Sequence, residues 1–100
     1  MAILATWLIP DQQLHQAAEC LRVLAHPARL RMVELVLRQP TPVGELAKAC
    51  GLTVPATSGH LRLLEHCGLL LATRVGRQRF YSPARPCLAA IIDCIRGHFN

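Results

Sequence analysis

Apolar residues return every three or four positions over most of this chain, and that spacing predicts helices. Leu14, Ala17, Ala18, Leu21 and Leu24 form a stripe after Asp11, so a first helix is expected from Asp11 to about Leu24. His26-Pro27 interrupts it, because the residue before a proline avoids the α region. A second helix follows from Pro27 to about Arg38. Leu30, Val33, Leu35, Val36 and Leu37 make its second half nearly all apolar, as expected of a central helix, with Arg29, Arg31 and Glu34 at its polar positions. Gln39-Pro40-Thr41-Pro42 reads as a turn in which Thr41 caps a short helix from Pro42 to Cys50, closed by Gly51. Another short helix follows from Thr53 to Cys67 and stops at Gly68. The period then changes. Leu69–Val75 and Gln78–Ser82 read as two strands around a Gly76-Arg77 turn, with Phe80 and Tyr81 anchoring the return. Beyond Pro83 and Pro86, a last helix from about Cys87 to His98 carries Leu88, Ile91, Ile92 and Ile95.

The Thr53–Cys67 segment organises the rest. The Thr53 hydroxyl can cap its N-terminus and Pro55 sits in its first turn. Leu61 and Leu64, with Thr57 one turn earlier, mark a buried face. The opposite ridge holds Pro55, Ala56, Gly59 and Arg62, small residues with one arginine, of a shape that a DNA major groove admits. Two short helices joined by a glycine-containing turn match a helix-turn-helix. Arg74, Arg77 and Arg79 cluster on the hairpin that follows, as in a wing that straddles a phosphate backbone. Candidate DNA-binding residues are therefore Thr53, Pro55, Ala56, Thr57, Ser58, Gly59, His60 and Arg62 on the helix, and Arg74, Arg77 and Arg79 on the wing. His60 has a second reading as a packing residue. Arg29 is expected either near a DNA backbone or in a structural ion pair.

Composition narrows the alternatives. One hundred residues make one small domain, in which burial gained by pairing would add to a modest core. The chain is 52% hydrophobic and only 4% aromatic, so it is not a disordered chain and its core is aliphatic. Eleven Lys and Arg against six Asp and Glu give a net charge of +5, which favours a polyanionic partner. Ten of those eleven are arginine, suited to bidentate phosphate and base contacts. No run is long enough to span a membrane. Residues 1–10 form an apolar arm around Trp7, either lying over a neighbour or disordered, and without the basic start or cleavage site of a signal peptide. A cytoplasmic, reducing location is expected. No nucleophile–base pair or phosphate-cradling loop stands out, so no enzyme is expected. The rival to DNA binding is a winged helix that docks a protein.

Three stretches together resemble the ArsR/SmtB family of small winged-helix repressors. They are L-R-V-L-A-H-P-A-R-L-R-M-V-E-L-V (Leu21–Val36), E-L-A-K-A-C-G-L-T-V-P-A-T-S-G-H-L-R-L-L-E-H-C-G-L-L (Glu45–Leu70) and V-G-R-Q-R-F-Y-S (Val75–Ser82). The likeness runs closely from about Cys20 to Leu88. It implies a mostly α winged helix-turn-helix with a small β-hairpin wing, dimerising through its first and last helices. The unit would occupy residues 11–98, with the helix-turn-helix at about 42–67, the wing at about 69–82 and the dimerisation helix at about 87–98. The resemblance further implies a homodimeric repressor on an inverted-repeat operator, released by a ligand or chemical signal. Many relatives have S-x-H-H-L where this chain has T-S-G-H-L, so Gly59 replaces a histidine and leaves Ser58, His60 and Arg62 as the polar contacts.

The same resemblance bears on an inducer. The family's E-L-C-V-C-D-L thiolate motif is replaced by T-P-V-G-E-L, with Pro42 and Gly44 where cysteines would stand. Its D-x-H site in the last helix is reduced to Asp93-Cys94-Ile95. Five cysteines remain. Cys50 and Cys67 face the helix-turn-helix core, where a free cysteine behaves as a small hydrophobe. Cys20, Cys87 and Cys94 are the candidate sensing residues, for a soft metal or metalloid or an oxidant, with Cys20 expected to approach Cys94 or Cys87. Packing alone is the competing account of all five. Cys87 and Cys94 lie two turns apart, about 10 Å, too far to share one ion on a straight helix.

Overall fold

A computed structural model describes residues 6–99, so the first half of the N-terminal arm lies outside the described residues. Five helices and three strands follow in order: α1 (Asp11–Leu24), α2 (Pro27–Arg38), β1 (Thr41–Pro42), α3 (Val43–Cys50), α4 (Val54–His66), β2 (Leu70–Val75), β3 (Gln78–Pro83) and α5 (Cys87–Phe99). Proline and glycine set most of these limits. Pro27 opens α2 at a position where a missing N–H costs nothing, and the His26 ring caps it, Nδ1 accepting from Ala28 N–H at 3.1 Å. Gly68 ends α4 with φ +74, in the left-handed region. Its N–H bonds the Glu65 carbonyl at 2.9 Å, and Leu69 N–H bonds that of Leu64 at 3.0 Å, the pair of bonds of a Schellman stop. The hairpin turns on Gly76 at φ +64, followed by Arg77 outside the left-handed region, which is the glycine-first order of a type II′ turn.

Two details depart from expectation. Thr41 does not cap α3; its hydroxyl donates to the Gln39 carbonyl at 2.8 Å. Pro42 is held extended, so α3 begins at Val43 with no side-chain cap. The freed Thr41–Pro42 pair becomes β1 and adds a third strand to the hairpin, in order β1-β3-β2, with Thr41 opposite Tyr81 and Pro42 opposite Phe80.

The core lies under the sheet and between α2, α3, α4 and α5. Met32, Val33 and Val36 of α2 are buried against Leu46 of α3, Leu61 and Leu64 of α4, Leu70 and Tyr81 of the sheet, and Leu88 and Ile92 of α5. Glu34 ties α2 to α5. Arg96 donates to it at 3.0 Å from α5, and Arg31 reaches it from the same helix. Burial pushes the Glu34 carboxyl up, but the two arginines outweigh that and hold it below the usual range. The first helix is different. Of its fourteen residues only Leu24 is buried, and Leu14 and Leu21 are 47% and 55% exposed.

Candidate nucleic-acid interface

Helix α4 is fixed by what it buries. Leu61 and Leu64 are fully inaccessible and so is Thr57. Thr57 donates its hydroxyl to the Thr53 carbonyl at 2.9 Å, which satisfies a buried polar group inside the helix. It is therefore removed from the expected contact residues, because its side chain faces the core. Thr53 accepts from Ala56 N–H at 3.2 Å and caps the helix as expected.

The outward face is set by the same geometry. Thr53, Pro55, Ala56 and Arg62 are exposed, and Ser58 and Gly59 half-buried. A Cβ placed on Gly59 would meet nothing within 4 Å, so the protein itself does not require glycine there. A cleft of about 870 Å³ opens between this face and the hairpin. Ser58, Arg62 and His66 line it from α4, and Arg74, Arg77 and Arg79 from the wing. Arg62, Arg74 and Arg77 have no carboxylate partner among the described residues, so their charges are available to a ligand. Arg79 is different. It reaches back to Glu65 of α4 at 3.1 Å and lies 5.9 Å over the Tyr81 ring, which pins the wing to the helix. The expected wing cation is thus paired with a carboxylate of the neighbouring helix. His66 was not among the expected residues, although it stands one turn after Arg62 on the same face and spacing would have found it.

His60 takes its packing role. Its Nδ1 accepts from Arg29 Nε at 3.0 Å, and its ring lies 4.6 Å from that of His26. Arg29 also donates to the Val23 carbonyl at 3.1 Å. Arg29 is therefore outside the cleft lining and in no ion pair among the described residues; it clamps α2 to α4 and to the end of α1. Burial first, then the Arg29 charge and the neighbouring His26, push the His60 pKa down.

The expected sensing residues separate. Cys87 and Cys94 are exposed on α5. Cys20 is half-buried, and its thiol donates to the Cys67 carbonyl at 3.6 Å, so within one chain it meets Cys67 rather than Cys87 or Cys94. Among the described residues, no cluster of three or more His, Cys, Asp or Glu is placed to hold a metal.

Comparison with known proteins agrees with this geometry. Residues 26–70 match the model of a bacterial regulatory protein family, the arsR family. The transcriptional regulator NmtR of Mycobacterium tuberculosis is 35% identical over 85% of this chain and 71% of its own length. A probable mercury resistance operon repressor of Streptomyces lividans is 33% identical over 93% of this chain and 74% of its own. Among solved structures, the homodimeric winged helix-turn-helix DNA-binding domain of a possible ArsR-family regulator from Mycobacterium bovis superposes with a TM-score of 0.80. The two share 26% identity over 98% of this chain and 89% of that one. The winged helix-turn-helix fold and these relatives together place the chain in the arsR family of bacterial regulatory proteins, transcriptional regulators rather than enzymes.

Proposed function

We propose that the protein acts as a homodimer that binds an inverted-repeat operator and represses the genes it controls, in the cytoplasm. The observation that carries this reading is the cleft in which unpaired Arg62, Arg74 and Arg77 converge from a helix and a hairpin. Helix α4 would enter the major groove, with Arg62 and Ser58 directed at base edges and Pro55, Ala56 and Gly59 allowing close approach. Thr53 at the helix N-terminus and Arg74 and Arg77 on the wing would meet phosphates, which position the protein without reading sequence. Residues 11–98 would serve as one unit, with α1 and α5 pairing the two copies. No helix among the described residues is long and apolar enough to cross a membrane. The signal that releases the operator is proposed to be directed at thiols, a soft metal or metalloid in the first instance. A relative named as a mercury resistance operon repressor supports that choice.

Selection from a randomised duplex library at two salt concentrations tests the central reading. Enrichment of an inverted repeat whose half-sites lie about one helical turn apart is expected. Equal binding of all duplexes, or none, would exclude a specific operator and favour a protein partner for the wing.

A further inference from the structure

Two imidazoles and a guanidinium meet where α1 gives way to α2. His26 precedes α2, Arg29 lies in its first turn, and His60 stands in the middle of α4. Each ring is used as an acceptor. His26 Nδ1 accepts from the Ala28 N–H at 3.1 Å, and His60 Nδ1 accepts from Arg29 Nε at 3.0 Å. The two rings are half-buried and 4.6 Å apart. Arg29 also donates to the Val23 carbonyl at the end of α1, at 3.1 Å. Three helices are therefore tied at one point.

Both ring contacts need a neutral imidazole, because an imidazolium carries N–H at both nitrogens and accepts at neither. The charges that act on His60 are Arg29 and His26, and both are positive when ionised. Helix α3 and strand β2, which also pack on α4, bring no charge to the ring. From α1, Glu19 and Cys20 act on Cys67, as Arg29 does, but Glu19 is paired with Arg22. Among the described residues no carboxylate pairs with either ring. Histidine is also the side chain whose charge ordinarily changes between pH 5 and 8.

We propose that His26, Arg29 and His60 form an acid-operated latch that seats α4, so that protonation of the two imidazoles frees α4 from α2 and releases the operator. The release presupposes the operator binding proposed above; the latch itself does not. Two protons enter from solvent, one to each ring. The Ala28 N–H loses its acceptor, so the first turn of α2 loses its cap. Arg29 Nε–H then faces an N–H and a like charge. Gly59 directly precedes His60 and Arg62 follows it by two, so a shift at His60 carries the face proposed to read bases. The sign is diagnostic. A plain cationic cleft holds DNA more tightly in acid, because protonated His66 adds to the charge of Arg62, Arg74 and Arg77. The latch acts the other way.

The experiment measures affinity of the full chain for a duplex selected at pH 8, from pH 8 to pH 5.5 at constant ionic strength. Circular dichroism at each pH checks that the chain stays folded. Wild-type affinity should fall by about tenfold or more, since each proton taken up on release changes affinity about tenfold per pH unit. The double variant His26→Asn, His60→Asn keeps acceptors that do not titrate, and its affinity should hold or rise with acid. A second readout needs no DNA. Hydrogen exchange at the Ala28 amide, corrected for its intrinsic pH dependence, should lose protection in acid in the wild type and keep it in His26→Asn. Wild-type affinity that holds or rises in acid, an equal fall in the double variant, or Ala28 protection that does not change would each overturn the latch. If no duplex is selected at any pH, operator recognition fails, and Ala28 protection alone decides the latch: its loss in acid supports the latch and its persistence overturns it.

Discussion

His60 sits on the helix proposed to read DNA but spends its acceptor on Arg29, and a protonated imidazole cannot accept that bond. Its pKa is lowered, so folding favours the neutral ring. The unfolded chain then binds more protons, and stability is complete above the unfolded value of about 6.5 and is lost as pH falls below it. Thermal unfolding from pH 8 to pH 5 should show this loss, and His60→Asn, which keeps an acceptor near Nδ1 but cannot titrate, should show less of it. Equal pH slopes for the two proteins would refute the assignment. Arg62 carries the opposite kind of expectation. Exposed and unpaired, it contributes nothing visible to the fold. Arg62→Ala should leave stability unchanged while relaxing preference at one base pair by about 1–3 kcal/mol. Arg77→Ala should weaken all duplexes alike and lower the salt slope by about one unit. An unaltered preferred sequence in Arg62→Ala would show that α4 enters DNA by another face. Exposure of Arg62 and burial of Leu61 and Leu64 were legible from helical spacing alone. The same spacing sets Thr57 on that buried face, which is incompatible with its place among the candidate DNA contacts. The partners of His60, by contrast, stand 31 and 34 positions away, and no local period records them.

The limits of helices α1, α2, α4 and α5 were readable because His26-Pro27, Gly68 and Pro86 act locally, through forbidden dihedrals and missing donors. Strand β1 was not readable. Two residues have no period, one is a proline without a donor, and the strand exists because β3 offers a partner opposite Tyr81 and Phe80. The coupling of wing to recognition helix was likewise hidden, since Glu65 and Arg79 belong to different elements. That pair is exposed and contributes little to stability, on the order of 1 kcal/mol or less. Its effect should appear in binding. Glu65→Gln removes a carboxylate from the cleft and frees Arg79, so affinity for any duplex should rise and the salt slope should steepen by up to about one unit. Titrations of one duplex at several salt concentrations measure both. Weaker binding would mean that fixing the wing matters more than the charge it costs.

The molecule measures 56 × 32 × 20 Å, with a radius of gyration of 15.7 Å. A chain of this length packed as a single compact unit would have a radius of about 13 Å. The difference fits an α1 whose residues are almost all exposed. Leu14 and Leu21 on α1 and Phe99 on α5 are 47%, 55% and 77% exposed, and Ile91 and Ile95 are only partly covered. An excess of apolar surface on the first and last helices was legible from their stripes, because each carries more apolar residues than one small core can use. Which residues would meet across a two-fold axis was not, since each copy supplies only half of every contact. Leu21 offers a clean test because it has little to lose inside its own chain. Leu21→Glu should leave the circular dichroism spectrum unchanged and shift the sedimentation coefficient from dimer to monomer. Operator affinity should fall by about 10²–10⁴-fold, since each copy would then hold one half-site without its linked partner. A monomeric variant that kept full affinity would mean that one recognition helix suffices. A variant that stayed dimeric would move the pairing surface away from α1.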